Sequence, residues 1–223
     1  SRQDSAGATF SRLVEAFPED ARLRSRLAYS YLKNENFDLA QSAFEAAKKL
    51  DKELAEAYVG LGLVYTERPA SGLSAFTNYR KAMGEAKRAV RIDSTYAPAY
   101  RLLGELYERF QENHEKAVEY YLKYIHVESN NPDGLYYFGL ACVQADQYDK
   151  IVAHIIPYLN AHEPEVQLLP LAAQGYLAKE EYRLALEYFE RYLQHVDETE
   201  RGHYTDISLV GSEKELHEFN GLF

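Results

Sequence analysis

The sequence predicts an all-α solenoid of stacked antiparallel helix hairpins. One observation is a short apolar motif that recurs along the chain at nearly constant spacing. A second is the scarcity of turn-forming residues, since only 12 Gly and 7 Pro occur among 223 residues. A third is a hydrophobic content of 46%, which is enough to build a sizeable core. Together these features favour long helices over a β architecture with many turns.

The recurring motif is a large apolar residue, a small residue directly after it and an aromatic residue three positions further on, as in Leu27, Ala28 and Tyr31. The first residue of the motif stands at positions 27, 61, 103, 138 and 172, and only the last of these, Ala172, is small; successive motifs are 34, 42, 35 and 34 residues apart. Cys142 is the one exception at the aromatic position. Because a small side chain lets a neighbouring helix approach closely, the motif predicts the first helix of a hairpin.

A second helix follows each motif in the same phase. Its apolar stripe begins at Ala40, Ala82, Ala117, Ile151 or Ala185, and apolar residues recur four and seven positions later. These spacings place side chains along one face of a helix. Two amphipathic helices per repeat predict a helical hairpin.

This pattern resembles the tetratricopeptide-repeat family, most clearly at Leu27, Ala28, Tyr31, Ala40, Phe44 and Ala47. The resemblance implies a right-handed superhelix with a concave face lined by first helices. We expect the array to cover residues 1–199, with a partial repeat at 1–20 and full repeats near 21–54, 55–96, 97–131, 132–165 and 166–199.

Two repeats depart from the pattern. The second has eight extra residues, within 66–77, where Pro69 and Gly72 predict a loop. It is either a tolerated insertion at a hairpin tip or a contact loop that exposes Leu73 and Phe76 to a partner. In the fourth repeat, Pro157 removes an amide donor and is expected to kink or shorten the second helix.

The tail at 200–223 loses the repeat phase. It contains a β-prone run at 205–210 and a capping-box pattern at Ser212 and Glu215. The tail is either a C-terminal cap of the array or the start of a truncated further domain. The stretches 204–209 and 212–216 resemble the opening of a bacterial GWxTD-type domain, so we expect a fragment of a longer bacterial protein.

Composition argues against several classes of function. The net charge of -10 disfavours nucleic acid, and no apolar stretch is long enough for membrane insertion. The sequence has no phosphate-binding loop, no nucleophile elbow and no zinc-binding histidine pair, and Cys142 is expected to be a buried, inert thiol. We therefore expect no enzyme, no cofactor and no metal. The compartment stays open between the cytoplasm and a bacterial periplasm.

The resemblance implies a groove for a protein or peptide partner along the first helices. Its expected lining residues, at the family's groove positions, are Arg22, Tyr29, Leu32, Val59, Leu63, Arg101, Glu105, Tyr136, Leu140 and Gln174. The expected function is a non-catalytic interaction scaffold. The alternative is a structural spacer that docks and orients a following domain of the same chain.

Overall fold

The computed structural model describes residues 2–129, 131–163, 165–199 and 201, and every regular element within these residues is helical. A short 3-10 helix at Val166–Leu168 precedes the tenth α-helix. The predicted all-α fold is confirmed, whereas the predictions for the tail lie outside the described residues. The helices are α1 Arg2–Ala16, α2 Ala21–Lys33, α3 Phe37–Leu50, α4 Ala55–Glu67, α5 Gly72–Ile92, α6 Ala97–Gln111, α7 His114–Val127, α8 Pro132–Gln144, α9 Tyr148–Ala161, α10 Leu169–Ala178 and α11 Tyr182–Leu193.

The chain divides into two compact units, residues 1–147 and 148–223. In the N-terminal unit, α2 and α3, α4 and α5, and α6 and α7 form hairpins, and α1 packs on α2. Each hairpin packs on the next element through its second helix, so α3 contacts α4, α5 contacts α6 and α7 contacts α8. In the C-terminal unit, α10 contacts both α9 and α11. The helices therefore stack as repeated hairpins, as the motif spacing predicts.

Four of the first helices end in a left-handed turn. Glu35, Glu112, Asp146 and Glu180 have φ angles of 58°, 50°, 53° and 60°. In non-glycine residues this conformation costs ~1–2 kcal/mol. In each turn the next amide donates back to the carbonyl at the motif's aromatic position, as from Asn36 to Tyr31 at 2.9 Å. This Schellman closure connects the recurring motif directly to the turn that reverses the chain.

The small residue of the motif allows an aromatic ring to lie directly on a helix backbone. A Cβ atom added to Gly104 of α6 would stand 2.6 Å from Cε1 of Tyr121 in α7. Tyr121 is fully buried, and its hydroxyl donates to the Glu108 carboxylate at 3.0 Å. Phe44 of α3 lies in the same way against Gly60 of α4, between neighbouring hairpins. Close helix approach at small residues is therefore confirmed, both within a hairpin and between hairpins.

The extra residues of the second repeat do not form the predicted loop. Helix α4 continues to Glu67 and α5 begins at Gly72, so only residues 68–71 connect them. The loop prediction is wrong because Ser71 and Ser74 form a reciprocal capping box that starts the helix early. As a result α5 has 21 residues, whereas α3 and α7 have 14 each.

The proline of the fourth repeat does not shorten its helix. Helix α9 runs through Pro157 to Ala161 and has 14 residues, as many as α7. The carbonyl that loses its partner belongs to Ala153, which is exposed, so water can satisfy it. The predicted burial of Cys142 is confirmed, since this residue of α8 is fully buried.

Gly104→Ala is expected to lower the free energy of unfolding by ~1–3 kcal/mol, because the buried Tyr121 ring has no room to move away from a new methyl group. Gly84→Ala is the matched control, since nothing lies within 4 Å of a Cβ at this position of α5. In the control, the free energy of unfolding should rise by ~0.5–1 kcal/mol, because alanine has less backbone freedom than glycine in the unfolded chain. Urea unfolding followed by circular dichroism measures both. Equal effects of the two substitutions would contradict the packing described for Gly104.

Candidate protein-binding surface

The first helices of the N-terminal unit form a continuous layer, here called the first-helix face (α2, α4, α6 and α8). Helix α2 contacts α4, and α4 contacts α6. Among the described residues, these two pairs of first helices contact each other more extensively than successive second helices do. A partner that lies along the first helices can therefore touch several repeats at once.

Most of the predicted groove residues lie on this face with exposed or half-buried side chains. Gln174 is also exposed, but it lies on α10 of the C-terminal unit. The residues on the first-helix face are Arg22 and Tyr29 of α2, Leu63 of α4, Arg101 and Glu105 of α6, and Tyr136 and Leu140 of α8.

Leu32 and Val59 are buried, so they cannot offer their side chains to a partner. Leu32 is 6% exposed and packs in a cluster with Ala28 and Phe44. Val59 is 1% exposed because α4 is enclosed by α2, α3, α5 and α6. The family positions predict exposure for these two residues, and burial by the surrounding helices overrides that prediction.

Tyr29 anchors the N-terminal part of the face. Its hydroxyl donates to the backbone carbonyl of Glu56 at 3.3 Å, and its ring lies edge-on to Phe44 with centroids 4.9 Å apart. Arg26 reaches the Glu56 carboxylate at 3.4 Å. Burial, together with the nearby Tyr96 and Glu56, raises the pKa of the Tyr29 hydroxyl. Tyr29 is therefore a rigid part of the surface that holds α2 against α4.

A second cluster surrounds Arg101, between α6 and α8. The Nε of Arg101 lies 3.1 Å from the Glu105 carboxylate, and its guanidinium lies 5.3 Å from the centroid of the Tyr137 ring. The rings of Tyr136 and Tyr137 lie 6.0 Å apart. Leu140, one turn further along α8, is 37% exposed. The cluster thus combines a cation held in place with two aromatic rings and, one turn further along α8, an exposed aliphatic side chain.

Tyr137 is a site residue that the repeat spacing does not predict. Groove positions follow from spacing within one repeat, whereas Tyr137 contacts Arg101 of the preceding repeat. The signal that could have found it is the tyrosine pair at 136 and 137, directly before the motif residue Phe138. Aromatic pairs of this kind supply large, rigid contact area.

The C-terminal unit has a separate apolar groove of about 440 Å³ between α10 and α11. Gln174 lines it, together with Leu177, Tyr182 and Leu186. These last three side chains are 55%, 64% and 53% exposed. Such large exposed apolar side chains, gathered in one groove, are typical of a contact surface.

The residues predicted for a contact loop lie in a helix instead. Leu73 and Phe76 belong to the first two turns of α5, where they are 81% and 56% exposed. Their predicted exposure is confirmed, although the loop is not. They do not lie on the first-helix face, because α5 is a second helix.

Two further kinds of site were sought among the described residues. No group of three or more His, Cys, Asp and Glu side chains there is arranged to hold a metal ion. In the same residues, no helix combines the length and the apolar character that crossing a membrane requires.

Comparison with known proteins identifies the repeat. A family model of the tetratricopeptide repeat matches residues 21–54 and 97–131.

Among solved structures, YrrB is 20% identical to this chain, with a TM-score of 0.66 over 89% of this chain and 98% of its own. YrrB is described as a TPR protein with an unusual peptide-binding site. Pseudomonas aeruginosa pilF is 16% identical, with a TM-score of 0.66 over 100% and 90%. A thermophilic TPR protein of Thermus thermophilus is 17% identical, with a TM-score of 0.62 over 86% and 90%. At these identities the structures show a shared fold. No curated protein matches the chain in sequence.

The buried tyrosines predict a loss of stability at high pH. Burial raises the pKa of Tyr29 and Tyr121, and with Glu128 it raises that of Tyr124 to about 12. An unfolded tyrosine has a pKa of ~10, so the folded state holds these protons more tightly. The stability that these protonated hydroxyls contribute to the folded state is therefore complete below pH ~10. It is lost as the pH rises through their pKa values in the folded protein.

Tyrosinate absorbance and circular dichroism, recorded in one upward titration, measure this effect. We expect a cooperative step in absorbance that coincides with the loss of helix. Ionisation of all 20 tyrosines in one gradual step, with the helices intact, would contradict the burial of these hydroxyls.

Proposed function

Because the chain is a tetratricopeptide-repeat protein, we propose that it is a non-catalytic scaffold that binds a protein or peptide on its first-helix face. The observation that carries this proposal is the cluster of Arg101, Glu105, Tyr136, Tyr137 and Leu140 between α6 and α8. It combines the residue types that dominate binding energy at protein interfaces.

The cluster is ordered before any partner arrives. Glu105 and the ring of Tyr137 hold the Arg101 guanidinium, whose side chain is still 47% exposed. Little side-chain entropy is therefore lost when Arg101 donates hydrogen bonds to the carboxylate of a partner. The exposed Leu140 beside it offers apolar contact. A peptide or protein surface with mixed apolar and acidic side chains fits this chemistry best.

Two further observations support a protein partner. YrrB, which shares the fold, is described as having a peptide-binding site. The net charge of -10 is unfavourable for a nucleic acid, whose phosphates would be repelled on average. Tetratricopeptide-repeat proteins are typically scaffolds without catalytic activity of their own.

The alternative function, a spacer that docks and orients a following part of the chain, is supported by a different surface. The apolar groove between α10 and α11 lies on the last hairpin of the described chain. Its exposed Leu177, Tyr182 and Leu186 would be buried by a segment that packs on them, as the end of a repeat array requires.

Selection of peptides from a displayed random library tests the first-helix face. Peptides enriched on the protein should contain acidic and apolar residues, and their affinity should fall by roughly tenfold or more in Arg101→Ala and in Tyr136→Ala. Arg91→Ala, an exposed arginine of α5, is the matched control and should bind like the original protein. Unchanged affinity in both first-helix variants, with unchanged melting temperatures, would refute the proposal.

The spacer alternative is tested by tryptic cleavage at Lys214 in the whole chain. If the tail packs on the groove, Leu186→Asp should accelerate this cleavage, because a buried carboxylate disfavours the docked state. Leu39→Asp is the matched control, since Leu39 of α3 is also 53% exposed and lies far from this groove in sequence. Equal cleavage rates in the two variants would rule out docking of the tail in this groove.

A further inference from the structure

The first turns of α5, which have no counterpart in α3 or α7, carry an exposed apolar stripe. Helix α5 is seven residues longer than α3 or α7, which is about two turns at ~3.6 residues per turn. Leu73 and Phe76 stand three residues apart in these turns, so they lie on one side of the helix. They are 81% and 56% exposed.

This extension is fixed to the end of α6. The ring of Tyr79, one turn after Phe76, stacks on Phe110 with centroids 5.0 Å apart, and Gln111 donates a hydrogen bond to the Tyr79 hydroxyl. Phe110 is itself 40% exposed, so it continues the apolar surface from α5 onto α6. The extended turns therefore present their side chains from a rigid support.

Positive charge flanks the apolar residues. The guanidinium of Arg80 lies 5.9 Å from the Phe76 ring centroid, and that of Arg109 lies 5.8 Å from the Phe110 centroid. In the described part of the chain, neither guanidinium lies within ion-pair distance of a carboxylate. Residues 69–81 contain no Asp or Glu, although the whole chain has a net charge of -10.

We propose that Leu73, Phe76 and Phe110, flanked by Arg80 and Arg109, form a docking patch for an acidic amphipathic segment of a partner protein. Apolar side chains of that segment cover the leucine and the two phenyl rings, and its carboxylates pair with the two guanidinium groups. Leu73, Phe76 and Arg80 of this extension patch lie on a second helix, whereas Arg109 and Phe110 lie at the C-terminal end of α6, about two turns beyond Arg101.

Charge and size favour a protein segment over an anionic membrane. Three apolar side chains bury too little area to anchor a helix in a bilayer, which takes a continuous apolar face or a second anchoring signal. The net negative charge of the chain also opposes approach to an anionic surface. A peptide can place its carboxylates locally, beside Arg80 and Arg109, without bringing a large anionic surface near the rest of the chain.

Selection of displayed random peptides on the whole chain, after depletion on the Phe76→Ser variant, tests the extension patch. We expect the surviving peptides to combine Asp or Glu with Leu, Phe or Trp at helical spacing. As synthetic peptides, they should lose at least tenfold in affinity in Phe76→Ser and in Arg80→Glu. Replacing their carboxylates by lysines should restore binding to Arg80→Glu, which a merely structural effect would not do.

Leu39→Ser and Arg91→Glu are matched controls on exposed positions of second helices, and Arg101→Ala separates this site from the first-helix face. All three should bind these peptides like the original protein. The proposal is overturned if the depleted library yields only neutral or basic peptides, or if Arg80→Glu binds the acidic peptides unchanged. It is also overturned if vesicles with phosphatidylserine bind the original protein but not Phe76→Ser, while no peptide distinguishes the two.

Discussion

The close approach of helices at small residues is the constraint on which the rest of the structure depends. Tyr121 lies on Gly104 within a hairpin, and Phe44 lies on Gly60 between hairpins. Any side chain at these glycines would push the rings outward and change the spacing between helices. Because the same contact type joins helices within and between repeats, the array stacks tightly, and the positions of α4 and α6 are set by rings from neighbouring second helices.

This tight stacking decides which side chains a partner can reach. A first helix enclosed on several sides, as α4 is, leaves only a narrow strip uncovered, so Val59 is buried while Leu63, one turn later, is half-buried. On α6 and α8 the uncovered strip carries Arg101, Tyr136 and Leu140. The surface chemistry of the scaffold is thus a consequence of its packing, and the uncovered strips of the repeats differ in sequence.

The repeat period reveals helices and their phase, because apolar spacing and small residues are local signals. It predicts the hairpins, and most of the side chains that it assigns to a groove are exposed or half-buried. It does not reveal contacts between repeats, such as that of Tyr137 with Arg101, or the burial of Leu32 by its own hairpin. The pattern also predicts too long a connection before α5, since Pro69 and Gly72 suggest a loop, whereas the reciprocal bonds of Ser71 and Ser74 favour a helix.

The central claim, that the first-helix face binds a protein segment, is tested most directly by NMR chemical-shift mapping with a bound peptide. We expect the largest shift changes to fall on α6 and α8, around Arg101, Tyr136 and Leu140. Shift changes confined to the second helices α3 and α7, with the first helices unaffected, would contradict it.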